Sequence, residues 1–232
     1  MAYRAVLFDL FDTLVYFDRN RLPLVEVNGR AVRSTAGHLH EVLRAHAPGV
    51  SLAAFVDALL GSWQEAERIR ALDHREVPAP ERFGLLFRRL GIEPASVAPA
   101  LLAALLDTHR RELSKAAQFP EHHGPLLRRL ARDHRLAVVS NFDYAPTALG
   151  ILDAAGVAEL FVAIVVSDEV GWRKPKPAIF EEAFRRLEIG PRQALFVGDR
   201  PDIDLLGAQG VGMDVAWINR DREPLPSGIR AP

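Results

Sequence analysis

Residues 6–15 have the sequence VLFDLFDTLV, an apolar run that ends in two carboxylates, Asp9 and Asp12. The residues up to Phe8 show no alternation of polar and apolar side chains, a pattern typical of a strand that is covered on both faces of a parallel sheet. In open sheets of this kind, ligands bind beyond the carboxyl ends of the strands, where Asp9 falls. Asp is also common in turns, and the motif alone favours a turn over a functional site.

The composition of the 232-residue chain restricts the classes of protein to which it can belong. Lys and Arg (29) nearly balance Asp and Glu (30), so no overall positive field attracts nucleic acid or an anionic membrane. The sequence contains no cysteine, which excludes disulfides, thiolate metal sites and a thiol nucleophile. It also lacks an apolar run near the roughly 18 residues of a membrane span, and the features of a signal peptide. We therefore expect a soluble, cytoplasmic protein without nucleic-acid or membrane partners.

After the first strand the pattern changes to a long segment of helical periodicity. Residues 16–31 contain Pro, Asn and Gly among charges, which predicts an irregular or hairpin-like excursion. Four helical patterns follow, the clearest being an apolar stripe over residues 52–63 behind an N-cap at Ser51. This stripe predicts that Trp63 lies in the core. Residues 16–117 are therefore expected to form an all-helical insertion with no strand of its own.

From about residue 118 onward, strand and helix patterns alternate, as in a parallel sheet with crossover helices. The predicted strands are Leu136–Val139, Phe161–Val166, Ala194–Val197 and Val215–Ile218, and the predicted helices are Thr147–Ala155, Pro177–Leu187 and Asp202–Gln209. Together with the first strand, they predict an α/β fold whose doubly wound parallel-sheet core comprises residues 1–15 and 118–232. The tail after Asn219 is expected to be loosely ordered.

Polar side chains follow the later strands where each strand ends: Ser140-Asn141, Ser167-Asp168-Glu169 and Gly198-Asp199. Because the carboxyl ends of parallel strands meet at one edge, these residues should converge on a single crevice with Asp9. Lys174, in the sequence WRKPKP, adds an ammonium group. Asp9 and Asp199 are hard oxygen ligands that suit Mg²⁺ together with substrate oxygens, and Ser140 and Lys174 would hold the remaining phosphate oxygens.

Several further polar residues admit two interpretations each. Asp168 and Glu169 could extend the metal site or cap the following turn. His122 and His123 are adjacent in a loop, a spacing that disfavours binding to one metal ion. The arginines of the excursion could bind a substrate anion, although a solvated surface is the simpler interpretation: Arg19, Arg21, Arg30 and Arg33.

Taken together, four motifs of the chain resemble those of the haloacid dehalogenase superfamily, in the same order. They are Asp9 to Thr13, Ser140-Asn141, Lys174-Pro175-Lys176-Pro177, and Gly198-Asp199 with Asp204-Leu205-Leu206-Gly207-Ala208. The resemblance covers residues 1–15 and about 119–220, and it implies the family's Rossmann-like core. The helical insertion looks like the alpha-helical cap of subgroup I. Residues 140–143 and 197–199 look most like the branch of haloacid dehalogenase-like hydrolase domain-containing protein 3.

The resemblance implies a hydrolase, specifically a magnesium-dependent phosphatase of a small phosphorylated metabolite. Asp9 would be the nucleophile that forms an aspartyl-phosphate. The implied catalytic residues are Asp9, Asp12, Ser140, Asn141 and Lys174. The implied metal ligands are Asp9, the backbone carbonyl of Phe11, Asp199 and, directly or through other ligands, Asp204.

Phe11 departs from the pattern of the family's phosphatases. The residue two past the nucleophile is usually a second Asp, which protonates the leaving alcohol and then deprotonates water, whereas here Asp12 lies one position later. Phe cannot transfer a proton, and general acid–base catalysis is typically worth about 10²- to 10⁴-fold in rate. We therefore expect weakened turnover of ordinary phosphate esters.

This departure leaves two alternatives to a phosphatase. The first is a catalytically weak or inactive member that binds a phosphate ligand or a partner protein. The second is a metal-independent 2-haloacid dehalogenase, since the family's dehalogenases carry Tyr at the position of Phe11 and also use an Asp nucleophile. Those enzymes lack the acidic Gly-Asp motif, which is intact here at Gly198-Asp199 and Asp204, so phosphate chemistry is favoured.

Overall fold

The computed structural model of the protein describes residues 3–230, and these divide into two compact units. The core unit comprises residues 3–17 and 118–230. The inserted unit comprises residues 18–117. Between residues 3 and 230, no helix is both long and apolar enough to span a membrane.

The strands, in chain order, are β1 (Ala5–Phe8), β2 (Tyr16–Phe17), β3 (Leu24–Val27), β4 (Arg30–Arg33), β5 (Ala117–Gln118), β6 (Arg135–Ser140), β7 (Phe161–Val166), β8 (Ala194–Gly198) and β9 (Asp214–Trp217). The α-helices are α1 (Ala36–Arg44), α2 (Leu52–Asp73), α3 (Ala79–Arg89), α4 (Pro99–Ser114), α5 (His123–Leu130), α6 (Ala145–Ala154), α7 (Ser167–Val170), α8 (Pro177–Leu187) and α9 (Leu206–Gly210). A π-helical turn, Pro201–Leu205, precedes α9.

The core unit contains a parallel five-stranded sheet in the order β7-β6-β1-β8-β9, which confirms the predicted doubly wound α/β fold. β1 lies at the centre, where Leu7 is in register with Ala137 of β6 and Phe196 of β8. All four residues of β1 are buried, as its uninterrupted apolar sequence predicts. The chain extends the sheet outward from β1 in one direction and then in the other, so Asp9 follows the strand at which the order reverses. Ligands bind at such points in open α/β sheets.

Two predictions for the second half of the core unit need correction. The single helix predicted over residues 202–209 is the π-helical turn followed by α9. The tail after Asn219 is not loose within the described residues, because Leu225 and Ile229 pack against the core of the sheet. The side-chain amide of Gln209 also donates to the Arg230 carbonyl and accepts from its N–H. Apolar contacts and these two hydrogen bonds therefore attach the tail.

The inserted unit contains the four predicted helices, α1 to α4, and also an antiparallel hairpin of β3 and β4. The prediction that this unit has no strand was therefore wrong. Asn28 and Gly29 form the hairpin turn, and both have positive φ angles, 51° and 72°. An Asn-Gly pair favours a tight two-residue hairpin turn, because both of its central positions need left-handed backbone.

Helix α2 begins as predicted, since the Ser51 hydroxyl accepts a hydrogen bond from the N–H of Ala54 at 3.2 Å. Phe55 of the predicted apolar stripe is fully buried, but Trp63 is 51% exposed, so the prediction for Trp63 was wrong. Small residues share the buried face of the helix with Phe55, and a Cβ atom on Gly61 would lie 2.2 Å from Nε of Arg89. The Arg89 side chain therefore passes closest to the helix where the residue is smallest.

Candidate active site

Three carboxylates meet at the carboxyl ends of β1 and β8. Asp9 follows β1, Asp199 follows β8, and Asp204 lies in the π-helical turn. Each offers an oxygen, and these oxygens all lie within 4.8 Å of one another. Asp9 and Asp204 are buried and Asp199 is partly buried. The structure thus brings together the three carboxylates that the sequence predicts as metal ligands.

The ammonium group of Lys174 lies inside this cluster. Its Nζ is 2.5 Å from Oδ1 of Asp9 and 2.8 Å from Oδ1 of Asp204, and the side chain is 1% exposed. Although burial opposes it, the charges of Asp204 and Asp9 raise the pKa of Lys174, so the ammonium form persists. Burial, together with the charges of Asp204 and Asp199, raises the pKa of Asp9 to about 7 despite the opposing effect of Lys174.

When all of them are ionised, three carboxylates and one ammonium leave a surplus of two negative charges at a largely buried place. Such a surplus is costly unless a cation compensates it. The donors are all hard oxygens, and Mg²⁺ prefers a few carboxylates completed by water and substrate oxygens. The residues present therefore fit a divalent ion of this kind.

Ser140, the last residue of β6, offers a hydroxyl group at the same edge of the sheet. It is 1% exposed, and between residues 3 and 230 its Oγ has no hydrogen-bond partner. Buried hydroxyl groups are normally hydrogen-bonded, so an unpaired one at a strand end is available to a ligand oxygen. This placement agrees with the predicted phosphate-holding role of Ser140, which stays a prediction.

Asn141 uses its amide group to hold the backbone of Lys174. Its Oδ1 accepts from the Lys174 N–H at 2.7 Å, and its Nδ2 donates to the Lys174 carbonyl at 3.0 Å. These two bonds join segments 33 residues apart and fix the position from which the Lys174 side chain extends. In this structure Asn141 supports a candidate catalytic residue, and direct participation in the reaction stays a prediction.

Phe11 and Asp12 lie in the turn that follows β1. The Phe11 ring packs against Phe142, with centroids 5.0 Å apart, and edge-on against Phe17 at 6.0 Å. Asp12 is exposed and, with Asp199, lines a cavity of about 520 Å³ in the core unit. Position 11 is therefore an aromatic packing position, and Asp12 is the carboxylate of this turn that shares a cavity with Asp199.

A family model described as haloacid dehalogenase-like hydrolase matches residues 3–212 of the chain. The chain belongs to the haloacid dehalogenase-like hydrolases. Glyceraldehyde 3-phosphate phosphatase of Methanopyrus kandleri is 31% identical over 226 residues, which cover 95% of this chain and 88% of that protein. Mouse haloacid dehalogenase-like hydrolase domain-containing protein 3 is 41% identical over 99 residues, 43% of this chain and 38% of that protein. The predicted resemblance to that branch is thereby confirmed.

Among solved structures, a 2-haloacid dehalogenase from Pseudomonas syringae pv. Tomato DC3000 superposes on this hydrolase with a TM-score of 0.68. The sequence identity is 25%, and the match covers 97% of this chain and 89% of the dehalogenase. The hydrolase is thus similar in sequence to phosphatases and in structure to a dehalogenase. The chemistry of the site, and not the fold, must distinguish the two reactions.

Two glycines of the motifs allow the close packing of the site. A Cβ atom on Gly198 would lie 2.4 Å from Oδ2 of Asp204. A Cβ atom on Gly207 would lie 2.9 Å from the Cα atom of Pro175, next to Lys174. Glycine is therefore needed at both positions for Asp204 and the Lys174 segment to approach the strand ends.

Two residues that hold Asp199 were not predicted from the sequence. The Thr13 hydroxyl donates to Oδ1 of Asp199 at 3.3 Å, and the indole N–H of Trp217 donates to the Asp199 carbonyl at 2.9 Å. Thr13 is 1% exposed. Its hydroxyl group in the otherwise apolar end of the first motif is a sequence feature that could have indicated this role. Trp217 has no such signal, because its role depends on β9 lying beside β8.

The remaining polar candidates have structural roles. Asp168 accepts a hydrogen bond from the N–H of Ala145, at the start of α6, at 2.8 Å. Glu169 lies 3.4 Å from Arg186 on the surface. Nδ1 of His123 is 2.9 Å from the Leu14 carbonyl, which makes this ring a support of the turn after β1.

Proposed function

We propose that this hydrolase is a magnesium-dependent phosphatase of small phosphorylated metabolites that acts through an aspartyl-phosphate on Asp9. The observation that carries the proposal is the cluster of Asp9, Asp199 and Asp204 around Lys174, with its surplus of negative charge. A dehalogenase needs one carboxylate to attack carbon and has no use for the other two as metal ligands. Phosphoryl transfer uses such metal ligands, because its transition state carries charge on the phosphoryl oxygens, which a bound cation would neutralise.

In the first step an oxygen of Asp9 attacks phosphorus, and the bond from phosphorus to the leaving-group oxygen breaks. The Lys174 ammonium, 2.5 Å from Asp9, favours the ionised carboxylate that this attack requires. The free hydroxyl of Ser140 and the ammonium of Lys174 would hold the non-bridging oxygens. In the second step water attacks phosphorus, which releases phosphate and regenerates the Asp9 carboxylate.

The metal ligands in this proposal are Asp9, the Phe11 carbonyl and Asp199, with support from Asp204. Bound Mg²⁺ would neutralise the charge on the transferring phosphoryl group and orient it toward Asp9. Thr13 and Trp217 would keep Asp199 in place for that role, since groups that orient ligands contribute strongly to metal affinity.

Proton transfer to the leaving group is the weak step of the proposed mechanism. Phe11 packs in an aromatic cluster, and its side chain has no ionisable proton to transfer. Asp12 is the candidate acid, because its exposed carboxylate shares a cavity with Asp199. We therefore expect substrates with good leaving groups, which need no proton, to react fastest.

The substrate class is proposed from the relative in Methanopyrus kandleri, which is named for a three-carbon phosphate ester. We further propose that the two units correspond to the family's organisation, in which residues 1–15 and 118–232 form the catalytic core and residues 16–117 form the cap. In that case the cap would set selectivity among substrates and exclude water during the reaction.

A substrate panel measured with Mg²⁺ and with a chelator tests the proposal. The panel contains p-nitrophenyl phosphate, acetyl phosphate, glyceraldehyde 3-phosphate and 2-chloropropionate. We expect Mg²⁺-dependent release of phosphate, fastest from the aryl and acyl esters, and loss of this activity with the chelator. Phosphate release that is unaffected by the chelator would contradict the metal site.

The structural similarity to a 2-haloacid dehalogenase supports a second candidate function. The aromatic residue at position 11 agrees with it, since halide leaves carbon without a proton. In that reaction Asp9 would attack the carbon that bears the halogen. Release of chloride from 2-chloropropionate in the presence of chelator, without phosphate release from any ester, would establish this function instead.

A further inference from the structure

The turn after Asp9 is held by a residue from the far end of the chain. Nη2 of Arg220 donates a hydrogen bond to the Asp12 carbonyl at 2.5 Å, across 208 residues of sequence. The same guanidinium lies 4.0 Å from the centroid of the Tyr16 ring, close enough for a cation–π contact. Arg220 therefore contacts the turn at two residues, Asp12 and Tyr16.

This turn has a backbone conformation that needs support. Asp12 has a φ angle of +61°, in the left-handed region that costs a non-glycine residue free energy. Such residues persist where the surrounding contacts fix them. Within the turn, the Asp12 N–H donates to the Val15 carbonyl at 2.6 Å, and the Phe17 N–H reaches the Asp12 carboxylate at 3.5 Å. Arg220 adds a contact from outside, at the carbonyl of the strained residue itself.

The position of Arg220 relates this contact to the site. Arg220 is exposed and, with Asp12 and Asp199, lines the cavity of about 520 Å³. The carbonyl of Phe11 belongs to the same peptide group as the N–H of Asp12. Because that group is planar, the hydrogen bond from the Asp12 N–H to the Val15 carbonyl sets the direction of the Phe11 carbonyl, and Arg220 holds Asp12 on the other side of its Cα atom.

We propose that Arg220 is a positioning residue for the turn that carries the Phe11 carbonyl. The link to metal binding rests on the proposed function, in which this carbonyl is a magnesium ligand. In this proposal Arg220 acts through the turn and not on the reacting atoms. Its guanidinium holds the Asp12 carbonyl and the Tyr16 ring at fixed positions, and the carbonyl of Phe11 between Asp9 and Asp12 is oriented as a result.

Variants of Arg220 test the proposal with two measurements. Arg220→Ala removes both contacts. Arg220→Lys keeps the positive charge and a hydrogen-bond donor but loses the planar guanidinium group. Arg192→Ala is the control, because it removes an exposed arginine elsewhere on the core unit. Hydrogen exchange of residues 9–17 is followed in the metal-free protein, and Mg²⁺ binding is measured by calorimetry. Thermal unfolding and the kinetic constants are recorded alongside.

We expect Arg220→Ala to speed exchange in residues 9–17 by roughly 10- to 30-fold, the combined effect of one lost hydrogen bond and one lost exposed cation–π contact on a local opening. Its Mg²⁺ affinity should fall by about 10- to 100-fold, as for other groups that orient a metal ligand. The kcat value at saturating Mg²⁺ should change less than the Mg²⁺ requirement. Arg220→Lys should recover part of both effects, and Arg192→Ala should show neither.

Unchanged exchange in residues 9–17 of Arg220→Ala would overturn the proposal. Faster exchange across the whole sheet, with a matching loss of thermal stability, would also overturn it, because the effect would then be general unfolding. A wild-type protein that binds no Mg²⁺ would refute the proposed function. The exchange experiment contains no metal and would still decide whether Arg220 holds the turn.

Discussion

Buried charged side chains occur in both units, but the two units compensate them differently. In the inserted unit, Nε of Arg70 lies 2.9 Å from Oε1 of Glu76, and the same carboxylate accepts from the Val77 N–H. In the core unit, Lys174 faces a cluster of three carboxylates. Arg70 also contacts Glu67 at 2.6 Å, but the Glu67 side chain is 43% exposed. The buried charges of the first arrangement therefore balance, whereas the second leaves a buried negative surplus. Charge balance, and not burial alone, thus separates a structural pair from a candidate site.

The two arrangements also differ in how far along the chain their members come from. Arg70 and Glu76 are six residues apart and join the end of α2 to the segment before α3. The core cluster draws its members from β1, the segment before α8, and the two segments after β8. Local pairing stabilises a connection, whereas residues gathered from distant segments indicate a place that the fold constructs.

The largest expected effect is on catalysis and follows Asp9→Asn. The amide cannot attack phosphorus and is a poorer magnesium ligand, so turnover should fall by about 10⁴-fold or more. The free energy of unfolding should change little, because the substitution also removes one of the crowded negative charges. Phosphate release and urea denaturation measure the two quantities.

Asp153→Asn is the matched control, since Asp153 is an exposed carboxylate of α6 in the same unit. It should affect neither activity nor stability. Near-normal turnover in Asp9→Asn would show that the surplus of charge does not mark a catalytic site, and the distinction between the two units would fail.

The next effect concerns the aromatic position within the core unit. Phe11→Asp should raise the turnover of alkyl phosphates relative to aryl phosphates by about 10²-fold, because only alkyl leaving groups need a proton. Phe11→Leu is the control that loses the ring contact with Phe142 without adding an acid. If the wild-type enzyme already cleaves both ester classes equally, Asp12→Asn will show whether Asp12 supplies the proton.

A smaller effect, on stability alone, is expected from Arg70→Met in the inserted unit. This change leaves the fully buried Glu76 carboxylate without its main partner and should cost about 3–5 kcal/mol of unfolding free energy. Adding Glu76→Gln should recover most of the loss, since it removes the stranded charge. Activity per folded molecule should stay unchanged, and a selective loss of kcat would mean that this pair serves the active site.

The smallest expected effects are on the free energy of unfolding, and they follow from a Gly→Ala substitution in each unit. Their signs should be opposite. Gly207→Ala should cost about 1–3 kcal/mol and lower activity, because the new Cβ atom collides with the backbone of Pro175 beside Lys174. Gly84→Ala in α3 meets nothing within 4 Å and should gain about 0.5–1 kcal/mol through helix propensity. Thermal unfolding of both variants measures the contrast, and equal signs would contradict it.

Particular features of the sequence were enough to predict much of the fold. The uninterrupted apolar run of β1 indicated a central strand, and the alternation after residue 118 indicated a parallel sheet, because buried strands and amphipathic helices have different periods. The helical periodicity of α2, however, wrongly predicted that Trp63 lies in the core, since its side chain is half exposed. Phe55 of the same stripe is buried, but part of the buried face of the helix consists of small residues such as Gly61, which a hydrophobicity pattern does not mark.

The sequence by itself determined which residues could meet at one edge of the sheet, because strand ends in a parallel sheet share an edge whatever their separation along the chain. Asp9, Ser140 and Asp199 were predicted on that ground. Only the tertiary structure decided which contacts hold the segments of the site in place. These are Asn141 on the Lys174 backbone, Trp217 on the Asp199 carbonyl, and Arg220 on the Asp12 carbonyl. These contacts go to backbone groups, which every residue carries, so no side-chain pattern could predict them.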